Sequence, residues 1–126
     1  MTTVHVFEQM LGQTCDAVTG AEAEDVMSFR VNGEERFRFY HSQDCSESVA
    51  INDIAGDLAD LVGAPLLVAE QISSEGTPIP DHDDSGTWTF YRFATVKGTV
   101  TVRWLGTSNG YYSESVDFID RASEAL

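Results

Sequence analysis

Two stretches of the chain alternate apolar and polar residues around a turn signal. In DVMSFRV, residues 25–31, and RFRFY, residues 36–40, the phenylalanines and Met27 recur at every second position on either side of Asn32-Gly33. A two-residue loop would set Phe29 against Arg36 and spoil the alternation. A loop of odd length, Asn32-Gly33-Glu34, sets Phe29 beside Phe37 and Met27 beside Phe39, so the odd loop is expected. TWTFYRFATV and TVTVRWL flank Lys97-Gly98, and a two-residue turn there opposes Tyr91 with Trp104, Phe93 with Val102 and Thr95 with Val100. These registers predict Phe29, Phe37, Phe93, Val102 and Trp104 as core.

The period changes elsewhere. Val4 to Leu11 is a short amphipathic segment ending at Gly12, which reads as a helix. DIAGDLADLVGAP carries Ile54, Leu58, Leu61 and Val62 at i, i+4, i+7 and i+8, with Asp53 as N-cap, Gly63 as stop and Pro65 beyond, which predicts a second helix. LLVAEQIS reads as a strand, and SSEGTPIPDHDDSG as an exposed acidic loop over residues 74–86. GTSNG turns the chain into YYSESVDFI, a last strand expected to pair with the one before it. The fold class expected is α+β: a mostly antiparallel, strongly curved sheet of about six or seven strands, compatible with a partly closed barrel, with two short helices.

The chain has 126 residues, one domain's length, with a single core expected over residues 1–126. Seven Lys and Arg stand against 21 Asp and Glu, a formal charge of −14. Such a field repels nucleic acid and anionic membranes and attracts basic partners. The opening MTTVHVFEQMLGQ has neither a cationic stretch nor a long apolar run, so a cytoplasmic location is expected. Cys15 and Cys45 are the two cysteines, without a zinc spacing, and free thiols are expected. No phosphate-binding glycine motif or hydrolase elbow is present, and no cofactor or metal is expected.

One short string occurs twice. SESVAIND begins at residue 46 and SESVDFID at residue 113. Alternation would put Glu47 with Val49, and Glu114 with Val116, on one face, where a carboxylate is costly unless paired. Each glutamate is expected to meet an arginine or to sit at a strand's exposed start. The repeat reads as a structural device used twice. By the same parity Arg92 is expected opposite Arg103, and like charges so placed need either carboxylates nearby, such as Glu114 and Asp117, or a bound anion.

Reactive groups are densest at His41, Asp44, Cys45 and Glu47. A cysteine–histidine nucleophile needs a lowered thiol pKa, and flanking carboxylates work against it. An enzyme is the less favoured reading, and a polar turn with a buried cysteine leads.

YHSQDCSESVAINDIAGDLADLVGAPLLVAEQIS, TWTFYRFATVKGTVTVRW and SNGYYSESVDF resemble an uncharacterised family of small proteins, a domain of unknown function, encoded by bacteriophages and prophages. The resemblance runs from about Leu11 to Phe118. It implies no activity and transfers no functional residue; Ser46 stands where many relatives carry a second cysteine beside Cys45. With the charge, it implies an accessory protein that binds and occludes a host factor, such as a nucleic-acid-binding or defence protein, through charge mimicry at Asp57, Asp60, Asp81, Asp83 and Asp84. A basic host protein is the expected partner. Two alternatives stand beside it: a binder of a small, nucleotide-like anion using Arg92, Arg103, Tyr111, Tyr112, Glu114 and His41, and a thiol-dependent enzyme around His41 and Cys45.

Overall fold

A computed structural model describes residues 2–42, 47–74, 85–108 and 114–124. Among the described residues, nine strands form two antiparallel sheets. They are β1 (Thr2–Val6), β2 (Ala17–Thr19), β3 (Val26–Val31), β4 (Glu34–Tyr40), β5 (Ser48–Ala55), β6 (Val68–Ser74), β7 (Ser85–Thr95), β8 (Gly98–Ser108) and β9 (Asp117–Asp120). One sheet runs β1-β6-β7-β8-β5 and the other β2-β3-β4-β9. Their inner faces meet through aromatic rings: Phe29 lies 4.9 Å from Phe93, Phe39 lies 4.6 Å from Tyr91, and Phe118 lies 4.9 Å from Phe39. Phe29, Phe37, Phe93, Val102 and Trp104 are all fully buried, as alternation predicts.

The fold is therefore mostly β, in two layers, and not α+β; among the described residues no closed barrel forms and neither expected helix exists. Residues 4–11 divide between β1, whose backbone pairs with β6, and a 3-10 turn at Glu8–Met10. A helix that short is marginal alone, and sheet pairing satisfies more of its backbone. In the second segment Ile54 belongs to β5, and Leu58–Leu61 is one 3-10 turn. Gly56, at φ 113°, separates them, and a Cβ there would lie 2.7 Å from the Thr99 carbonyl oxygen. A strand end followed by one tight turn reproduces the helical spacing of Ile54, Leu58 and Leu61, which all pack against the core. The cap is Asp57, not Asp53: the Ala59 N–H donates to Asp57 Oδ1 at 2.9 Å.

Both hairpins keep their predicted inner faces and depart in register. Asn32 and Gly33, at φ 54° and 78°, form a two-residue turn, Val31 pairs with Glu34, and Phe29 still faces Phe37. The odd residue is absorbed by a bulge at Arg36, not by a longer loop. In the second hairpin the turn is Val96-Lys97, Thr95 pairs with Gly98, Tyr91 with Val102 and Phe93 with Val100. The slip from the expected register is two residues, which preserves the face. Gly98 is not in a left-handed conformation; its missing Cβ gives room to Asp60, whose Oδ2 would lie 2.6 Å from it. The Lys97 N–H donates to Thr95 Oγ1 at 3.1 Å, and Lys97 Nζ to the Val62 carbonyl at 2.8 Å.

The last strand also changes partner: β9 pairs with β4 in the opposite sheet and not with β8. Glu114 crosses over Gly106, where a Cβ would collide with the Glu114 carbonyl oxygen. Burial of Phe118 against Phe39 and Phe7 favours the crossing. Most of the loop expected at 74–86 lies outside the described residues; β6 ends at Ser74 and β7 begins at Ser85. No helix among the described residues is long and apolar enough to cross a membrane.

Candidate functional site

Polar groups converge at the end of the sandwich away from the Val96-Lys97 turn. His41, just past β4, donates from Nδ1 to the Ser115 carbonyl at 2.8 Å, because a carbonyl oxygen can only accept. Its Nε2 lies 2.9 Å from Glu47 Oε2, and the two side chains are 3% and 1% exposed. Burial pulls the imidazole pKa down. The Glu47 hydrogen bond and charge, the Ser115 carbonyl and the Asp117 charge outweigh it, and the net shift is upward. An imidazolium donating at both nitrogens fits this geometry. Asp117 in turn accepts from the Ser42 N–H at 3.0 Å.

Beside this pair, Glu114 accepts from the Thr87 hydroxyl at 2.8 Å and from the Ser108 hydroxyl at 2.5 Å. No cation contacts its carboxylate among the described residues. Tyr91 Oη and Trp104 Nε1 are buried without a hydrogen-bond partner there. Burial first, and then the Asp117 charge, raise the Tyr91 pKa and keep the phenol neutral.

The residues named from sequence thus separate into distinct places. His41 and Glu114 lie together at the polar end. Asp57 caps the 3-10 turn and Asp60 packs against Gly98, both at the opposite end. Arg92 and Arg103 share the outer face of the five-stranded sheet but are not opposed: Arg92 pairs in register with Thr101, and Arg103 with Phe90. Arg92 is ion-paired with Glu70. Arg103 donates to Asn52 Oδ1 at 2.9 Å, and its guanidinium lies 5.0 Å over the Trp88 ring. Among the described contacts Glu47 meets a histidine and Glu114 two hydroxyls, in place of the expected arginines. Cys45, Asp81, Asp83, Asp84, Tyr111 and Tyr112 lie outside the described residues.

Thr87 and Ser108 are missing from the sequence reading. Parity contains them, since Ser108 continues the inward series Trp104, Gly106 along β8. The Ser115 carbonyl carries no side-chain signal at all. A separate shallow cleft of about 290 Å³ is lined by Val31, Glu34, Glu35, Arg36 and Arg121. Glu35, Arg36 and Arg121 of its lining are paired: Glu35 accepts from Ser28 at 2.6 Å and from Arg121 at 2.9 Å, Arg38 lies 2.9 Å from Glu35, and Arg36 reaches Asp120 at 2.8 Å. Burial raises the Glu35 pKa, but hydrogen bonds from Ser28, Arg121 and Arg38 outweigh it and lower the net value.

Reactivity is suppressed at the one described thiol. Burial, with Asp16 adding its charge, pushes Cys15 up to about 11. No three His, Cys, Asp or Glu side chains gather as a metal site among the described residues.

Residues 8–118 match the family model DUF7448, described as a domain of unknown function. The chain belongs to the DUF7448 family. Neither the curated proteins nor the solved structures gave a match. In this DUF7448 domain the matched span takes in both Ser-Glu-Ser-Val copies and the polar end they build.

Proposed function

We propose that this DUF7448 protein is a phage-encoded acidic accessory protein that binds a basic host protein in the host cytoplasm and occludes it. A nucleic-acid-binding or defence protein is the class whose positive surface such a charge would attract. One observation carries the reading: all seven lysines and arginines already have acceptors within the chain, while 21 acids leave the net charge at −14. Glu22, Glu24, Asp25 and Asp57 are exposed acids, and Asp60, Asp81, Asp83 and Asp84 complete the set expected from sequence. The anion-binding alternative loses its paired arginines, since Arg92 and Arg103 are held by separate partners. A thiol enzyme is disfavoured because both nitrogens of His41 are occupied, leaving none to accept a thiol proton.

The test is binding of polylysine, and of basic proteins retained from a bacterial lysate, as salt is raised. Binding should weaken steeply over the range in which the Debye length falls from about 10 Å to about 3 Å. Lysines at Glu22, Glu24, Asp25, Asp81, Asp83 and Asp84 should abolish it with the far-ultraviolet circular dichroism unchanged. Retention indifferent to both salt and charge reversal would defeat the reading.

A further inference from the structure

The outer face of the five-stranded sheet is not the polar surface that alternation usually leaves on a solvent side. Register places Val4, Ile72 and Phe90 in one row across β1, β6 and β7, and Trp88, Leu105 and Ala50 in the next across β7, β8 and β5. Val4 is 56% exposed and the other five are half-buried. No described element packs across them: the 3-10 turn Leu58–Leu61 touches β2, β7 and β8 between the layers, and the helical turn Arg121–Glu124 packs on β4. A contiguous apolar patch with a tryptophan and a phenylalanine at its centre has the composition of a binding hot spot.

Charge selects the occupant. The two arginines of this face are already engaged, Arg92 with Glu70 and Arg103 between Asn52 and Trp88, so it offers no unengaged cation to nucleic acid or an anionic membrane. A second copy would bring another −14 against the first. What remains complementary to the chain's net charge of −14 is a basic protein that presents an apolar centre to this face. We propose that the outer face of the five-stranded sheet, centred on Trp88, Phe90 and Leu105, is the docking surface for the basic partner. This rests on the charge reading above and adds to it the contact that makes binding specific, since long-range charge governs encounter and desolvated anchors govern lifetime.

The experiment compares wild type with Trp88→Thr/Phe90→Thr/Leu105→Thr, a set that keeps strand-forming residues on the face. The probes are polylysine and the most abundant basic protein that salt releases from immobilised wild type. The triple variant should bind polylysine as wild type does and should lose tenfold or more in affinity for the captured protein. Equal affinity of the folded variant for that protein overturns the docking surface while the charge reading stands. Loss of salt dependence with polylysine overturns the charge reading, and the basic partner with it. Should the variant fail to fold, hydrogen exchange on wild type decides: slowed exchange at 70–74, 88–92 and 101–105 in the complex supports the proposal, and protection confined elsewhere overturns it. A wild-type dimer in size-exclusion chromatography that Leu105→Arg dissociates would make the occupant a second copy, contrary to the proposal.

Discussion

The two Ser-Glu-Ser-Val copies are identical in sequence and are solved by different chemistry. Glu47 enters β5, is 5% exposed, and is held by a histidine from the end of β4. Glu114 stands outside any strand, is half-buried, and is held by two hydroxyls from β7 and β8. The first copy is a buried charge pair, whose removal strands its partner; the second is a set of hydroxyl-to-carboxylate bonds on neutral donors. Identical local sequence therefore fixes where a carboxylate is presented and leaves its partner to the tertiary fold. The copies are also joined, since His41 contacts Glu47 of one and the Ser115 carbonyl of the other.

This contrast can be broken by substitution. Glu47→Ala should have the largest effect, about 3–5 kcal/mol in urea titration, because it leaves a buried imidazolium without its hydrogen-bonded carboxylate; a loss below 1 kcal/mol would show that the pair is not charged. Gly106→Ala should cost about 1–3 kcal/mol by pushing the second copy off β8, and two-dimensional NMR should show the shifts concentrated at residues 114–118. Glu114→Ala should cost about 1–2 kcal/mol, with the hydroxyls of Thr87 and Ser108 left to reorient. The smallest effect is in pH. His41 has a raised folded pKa, so its stabilisation is fully present below the unfolded value of about 6.5 and is lost as pH rises through the folded one. Urea midpoints should decline across that window in wild type and in Glu114→Ala, and the decline should be missing in His41→Gln.

Alternation identifies the inner faces of both hairpins because a shift of two residues, or a bulge, preserves parity. It cannot fix register where the turn carries no strong signal: Val96-Lys97 has no residue requiring positive φ, and Gly98 draws attention to the wrong pair. The helix expected at 54–62 has a physical origin of its own, since Ile54 on a strand and Leu58 and Leu61 on a turn reach the same core at helical spacing. For the polar end, sequence marks His41, Glu47 and Glu114 as groups needing partners. It does not mark the partners, because His41 and Ser115 are separated by 74 positions and the acceptor is backbone.

The pairing of β9 with β4 has a kinetic consequence. β3 with β4, and β7 with β8, are local hairpins that close short loops, whereas β1 with β6 and β4 with β9 close long ones whose entropy cost precedes any gain from contact. Refolding should therefore be slow for the domain's size, with the hairpins formed early and the clasp of His41 on Ser115 among the last contacts made. Until then Phe39 and its neighbours on β4 are uncovered, and that interval is when the chain is most open to aggregation.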